Sequence, residues 1–170
     1  MVRSGERIIY DPLRPLAFLF PVVGFSPMFL GEYQHTMDDK GRLAIPTKFR
    51  AALLRGAVVT RGLDRALVVY AAKEWKALAT KLAALPISQQ NSRAFARLML
   101  AGAMDVSVDP QGRLAIPEYL RAYAGLKKSV TVAGLFDRLE LWDTEAWRAY
   151  QTRTEAQGTT IAEQLGSLGI

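Results

Sequence analysis

No cysteine occurs among the 170 residues. That excludes a disulfide framework, a thiolate metal site and a cysteine nucleophile. Histidine is nearly absent as well. The single one, His35, has no Ser/His/Asp set, metal-ligand cluster or phosphate-cradling glycine loop around it in the sequence. Neither catalytic residues nor a metal or other cofactor are therefore expected, and no small-molecule substrate. Long apolar runs are also scarce. The one candidate, "RPLAFLFPVVGF" from Arg14 to Phe25, is broken by Pro21 and Gly24 and is too short to cross a bilayer as a helix. Arg3 and Arg7 precede it as they would in a signal peptide, but no small-x-small cleavage site follows. Residues 1–27 read as a disordered extension, with Met28 as an alternative start. Acidic charge is the scarcer sign: 16 Asp and Glu stand against 22 Lys and Arg, a formal net charge of +6. Such a balance favours anionic partners such as nucleic acid.

What the chain does have, it has twice. "GRLAIP" runs from Gly41 to Pro46 and again from Gly112 to Pro117. Upstream, Asp38 matches Asp109; downstream, Arg50 matches Arg121 at the same offset of 71. One extra residue then enters the second copy, and Gly62, Tyr70 and Trp75 match Gly134, Trp142 and Trp147 at an offset of 72. The similarity covers about 45 residues per copy, so this is an internal duplication. Two copies are too few for a solenoid and suggest two halves packed about a pseudo-twofold axis.

Each half opens with strand periodicity. Tyr33, His35 and Met37 alternate with Gln34 and Thr36, as Met104, Val106 and Val108 do in the second half. "DPQG" then carries Asp at i, Pro at i+1 and Gly at i+3, the pattern of a type I turn, and "DDKG" keeps the Asp and the Gly. Gly41 and Gly112 can take positive φ and form a hairpin bulge. In "RLAI", Leu43 and Ile45 face the core while Arg42 and Ala44 face away. Pro46 and Pro117 open short helices that Gly56 and Gly125 end. Two short strands follow, "AVVT" and "ALVVY", matched by "SVTV" and "RLELW". A longer helix closes each half. One has Trp75, Leu78, Leu82 and Leu85 on one face, and the other is capped by Asp143 or Thr144. "PISQQNS" is a polar loop at the border, followed by a helix whose apolar face holds Phe95, Leu98 and Met99. Trp75 and Trp147 read as core anchors rather than a base-stacking platform.

Charge clusters in the first half. Lys40, Arg42, Lys48, Arg50, Arg55, Arg61 and Arg65 share their window with one acid, Asp64, for a charge of +6; the matching window from Gln111 to Arg138 carries +3. Phosphate binding needs such clustering. An arginine at the foot of a hairpin, facing away from the core, can also reach a base edge in the major groove. The bland reading stands beside it. Arg42 and Arg113 can simply pair with Asp38 and Asp109 across the turn, a surface ion pair of modest worth. Lys40, Lys48 and Arg50 read equally as solvated charges.

"MFLGEYQHTMDDKGRLAIPTKFR" and "DVSVDPQGRLAIPEYLR" resemble the two halves of the MraZ family, bacterial regulators of the cell-division and cell-wall gene cluster. Each half-repeat is similar to the SpoVT–AbrB type of DNA-binding domain. The hallmark is the paired D-x-x-x-R motif, here Asp38 to Arg42 and Asp109 to Arg113. The match runs from Met28 to about Tyr150; residues 1–27 depart from the pattern. The resemblance implies an α+β fold in which two pseudo-symmetric swapped-hairpin β units form one composite small barrel or sheet, flanked by helices. It places repeat 1 at 28–85, a linker loop and helix at 86–102, repeat 2 at 103–157 and a flexible tail at 158–170. It implies a repressor that binds repeated boxes in promoter DNA, including that of its own operon. Such a protein works in the cytoplasm at the nucleoid, without a membrane, as a homo-oligomeric ring with an octamer as the candidate stoichiometry. DNA contacts then fall to Arg42, Lys40, Lys48, Arg50, Arg113 and Arg121, with Asp38, Gly41, Asp109 and Gly112 shaping the turns. Two alternatives are an AbrB-like antitoxin and a ring-forming interaction module. The antitoxins usually carry one repeat and an acidic tail, whereas the tail here holds only Glu163 as an acid.

Overall fold

β1 (Phe29–Thr36) runs out along an edge and ends in the turn that the motif predicts. Gly41 N–H donates to the Asp38 carbonyl at 2.9 Å with φ +74°, and Asp38 N–H donates to the Arg42 carbonyl at 3.0 Å. A type I turn with a glycine bulge results. β2 (Arg42–Ala44) follows, then α1 (Thr47–Leu53). Pro46 sits one place earlier than a first-turn proline, at the N-cap with extended ψ. There its missing N–H removes nothing that the helix needs. β3 (Ala57–Arg61) and β4 (Leu67–Ala71) pair as a hairpin, and α2 (Ala72–Ala83) and α3 (Gln90–Leu100) complete the first half.

The second half repeats the order: β5 (Met104–Val106), β6 (Arg113–Ala115), α4 (Glu118–Ala124), β7 (Ser129–Phe136), β8 (Arg138–Asp143) and α5 (Thr144–Ala156). Asp143 is the cap of α5, its Oδ1 accepting from the Glu145 and Ala146 amides. The segment from Gly158, expected as a flexible tail, carries one more helix, α6 (Gly158–Leu165). The computed structural model describes residues 28–166. The proposed extension at 1–27 and the last four residues lie outside the described residues. Among the described residues, no helix is long and apolar enough to cross a membrane.

The architecture is mixed α+β. A six-stranded antiparallel sheet has the order β1-β7-β8-β4-β3-β5, and a separate two-stranded ribbon pairs β2 with β6. Strands of one half repeatedly pair with strands of the other: β1 with β7, β3 with β5, β4 with β8, β2 with β6. Inside the ribbon, Leu43 and Leu114 stand opposite each other, both 0% exposed. With Ile45, Ile116, Phe49 and Leu120 they close over the sheet residues Val59, Val69, Val132, Leu139 and Leu141 in one apolar cluster. Fully burying a leucine contributes roughly 1.5–3 kcal/mol, so the ribbon is held down by its own inner face. On the far side of the sheet, Tyr70 packs on Trp75 at 5.9 Å and Trp142 on Trp147 at 5.4 Å. The matched tryptophans are thus half-buried against matched strands.

One strand is shorter than its pattern. The alternation through Met104, Val106 and Val108 yields only three residues of β5, with Met104 exposed and Val108 making a single bridge to Leu114. β3 pairs it over Ala57–Val59 alone, whereas β7 pairs β1 over eight residues.

Candidate nucleic-acid interface

Residues directly opposite in an antiparallel pair share a face. Arg42 stands opposite Ala115, and Ala44 opposite Arg113. Both arginines therefore lie on the outer face of the ribbon, with only alanines between them. The ribbon is pinned at both ends: Ile45 N–H donates to the Gly112 carbonyl and Ile116 N–H to the Gly41 carbonyl, each at 2.9 Å.

The two aspartates organise the turns identically. Asp38 Oδ1 accepts from the Lys40 and Arg42 amides at 3.0 and 2.9 Å, and Asp109 Oδ1 accepts from Gln111 and Arg113 at 3.0 and 2.8 Å. The remaining oxygens take the arginines. Arg42 Nε donates to Asp38 Oδ2 at 2.7 Å, and Arg113 Nε to Asp109 Oδ2 at 2.8 Å. Hydrogen bonds to the charged form favour it. The Arg42 amide, foremost, holds the Asp38 carboxyl below its ordinary value, and the Arg113 side chain does so for Asp109.

The other candidates sit differently. Arg50 and Arg121 reach across to the opposite half. The Arg50 guanidinium lies over Gly112, while its Nε donates to the Ile45 carbonyl at 2.7 Å. Arg121 lies over Gly41, where an added Cβ would meet its Cζ at 2.7 Å, and its buried Nε has no hydrogen-bond partner among the described residues. Lys48 Nζ donates to the Leu30 carbonyl at 2.7 Å and sits 4.8 Å from the Tyr33 ring. Lys40 alone stands exposed at a turn tip with no side-chain partner among the described residues. So the structure brings Arg42, Arg113, Asp38, Asp109 and both glycines together at the ribbon, with Arg50 and Arg121 behind the turns. His35, on β1, is held below its ordinary value of 6.5, first by burial and then by the nearby Arg50 charge.

The family model described as "MraZ protein, putative antitoxin-like" matches residues 28–98 and again 99–166. The chain belongs to the MraZ family. Among its relatives are proteins named transcriptional regulator MraZ from Acetivibrio thermocellus (46% identical), Herpetosiphon aurantiacus (45%) and Halothermothrix orenii (47%). Each alignment covers 84% of this chain and all of the relative. The two MraZ matches meet between Leu98 and Met99, inside α3.

Two basic residues near the first turn were not singled out from the sequence. Lys127 and Lys128 line a depression of about 190 Å³ with Asp38, Asp39 and Arg121. Lys128 also offers its carbonyl to the Met37 amide at 2.8 Å, and Lys127 pairs with Glu145 at 2.8 Å. Adjacent lysines in the chain were the available signal. Their place beside the turn of the other half is visible only in three dimensions.

Proposed function

We propose that this protein is a sequence-specific DNA-binding transcriptional regulator, a repressor acting on promoter repeats of the division and cell-wall gene cluster, including its own operon. The observation that carries this reading is the ribbon: two arginines on an outer face whose inner face is wholly committed to the core. A two-stranded ribbon can enter the major groove, and arginine pairs bidentately with guanine. The names of the relatives point the same way. Arg42 is the leading base contact, and Arg113 holds the matching motif position on the same face. Lys40 at the turn tip, with Lys48, Arg50 and Arg121, supplies positive charge toward the phosphates.

The fold that presents the ribbon is, in this reading, a pair of swapped hairpins around a pseudo-twofold axis, closed into one small barrel. The cross-half pairings and the reciprocal Ile45 and Ile116 hydrogen bonds support it. The working form is a homo-oligomeric ring, with an octamer as the candidate stoichiometry, acting in the cytoplasm at the nucleoid. An apolar groove of about 510 Å³, lined by Phe95, Met99, Trp142, Trp147 and Tyr150, offers surface for such contacts. Light scattering at micromolar concentration tests the assembly, and a strictly monomeric mass counts against it. Gel-shift of the duplex upstream of its own gene, at two salt concentrations, tests the function. A retained preference for that duplex over a scrambled one is expected; equal binding of the two contradicts sequence specificity.

A further inference from the structure

The two ribbon arginines are not equivalent. Arg42 spends only its Nε, on Asp38 at 2.7 Å; its Nη1 and Nη2 have no partner among the described residues. Arg113 has an oxygen within 3.6 Å of every nitrogen. Nε and Nη2 both reach Asp109 Oδ2 at 2.8 Å, Nη2 also approaches Gln111 Oε1 at 3.3 Å, and Nη1 lies 3.6 Å from Asp38 Oδ2. That last contact is an ion pair, too long for a hydrogen bond, and it crosses from one half to the other. It falls on the very oxygen that receives Arg42 Nε. A bidentate guanine contact needs two free donors on one edge of the guanidinium. Arg42 offers them and Arg113 does not.

We propose that Arg113 is a positioning residue: it ties Asp109 of its own turn to Asp38 of the other, holds the Asp38 carboxylate on Arg42 Nε, and so fixes the Arg42 edge that reads the base. The inference rests on the DNA-binding reading above and assigns the second half a part in it distinct from that of the first. Duplication supplied two copies of one motif. Here one copy presents the reading edge and the other braces it.

A mutant cycle on the full chain separates bracing from reading. Affinity for the duplex upstream of its own gene is compared with affinity for a scrambled duplex, in wild type, Arg42→Ala, Arg113→Lys and the double variant. Arg113→Lys keeps the charge on the ribbon but cannot bond both aspartates, which guards against a folding defect. Arg42→Ala is expected to lower the preference on the order of tenfold, and Arg113→Lys several-fold. In the Arg42→Ala background, Arg113→Lys should lower it no further, because the group it positions is gone. A further several-fold loss there would mean that Arg113 reads a base itself, and the proposal fails. A DNA-free arm uses the crystal structure of Arg113→Lys. The Asp38 carboxylate should leave Arg42 Nε; an unchanged contact of about 2.7 Å overturns the tie. If wild type shows no preference between the duplexes, the DNA reading has failed, and the crystal structure still decides whether Arg113 braces Asp38.

Discussion

The first and second halves share a hexapeptide, a turn and a strand order, yet they differ in several of the contacts each makes with the other. Asp38 and Asp109 accept the same pair of amides with nearly the same lengths. Gly41 and Gly112 take φ of +74° and +79°. These features are local, and the duplication kept them alike. The covering groups diverge. Arg50 over Gly112 is anchored to the Ile45 carbonyl, while Arg121 over Gly41 leaves its Nε without a partner among the described residues. β1 is paired along eight residues and β5 along three. Local chemistry thus builds two copies of one unit, and contacts between the halves make the copies unequal.

The largest effect should be an equal one. Leu43 and Leu114 oppose each other at the buried centre of the ribbon. Leu43→Ala and Leu114→Ala should each cost about 2–5 kcal/mol, measured by denaturant unfolding. If the two differ by much more than about 1 kcal/mol, within the context dependence usual for such cavities, the shared core is not symmetric. An unequal effect should come next. Gly41→Ala and Gly112→Ala both force a non-glycine residue into the left-handed region, at about 1–2 kcal/mol. Gly112→Ala should cost more, because the guanidinium in its way is tethered. Thermal melts of the two variants check the order.

The smallest effect concerns a residue that only one half has. His35 occupies the place of Val106 in the second half. Its folded pKa is depressed, so the unfolded chain binds the proton more tightly. Stability should be fully present above pH 6.5 and fall slightly as pH drops below it toward the lower folded value. His35→Val should flatten that slope and make the halves more alike. Melting temperatures between pH 5 and 8 read it directly.

Much of this was legible in the chain. The repeat, the Asp-to-Gly turn and the in-out order of Arg42, Leu43, Ala44 and Ile45 follow from residue types at fixed spacing. They are properties of short segments. What the sequence could not yield were contacts between segments far apart. Nothing around Arg50 or Arg121 says that each side chain crosses to the glycine of the other turn. Nothing around Lys48 announces the Leu30 carbonyl, which is 18 residues away. The alternation at Val106 predicts a longer strand, but strand length is set by the partner, and β3 begins at Ala57, opposite Val106. Of the candidate site, the ribbon face was readable, and the unequal partners of Arg42 and Arg113 were not.

The central claim is that the outer face of the ribbon serves DNA while its inner face serves the fold. Arg42→Ala tests it most directly, by binding of the native promoter duplex in parallel with a melting curve at two salt concentrations. The variant should melt within about 0.5 kcal/mol of wild type, as surface changes do. It should lose on the order of 1–3 kcal/mol of promoter affinity for each lost base contact, multiplied by avidity if the protein is a ring. An early melt would make Arg42 a structural ion-pair partner of Asp38. A normal melt with binding as tight as wild type would contradict the assignment of the ribbon to DNA.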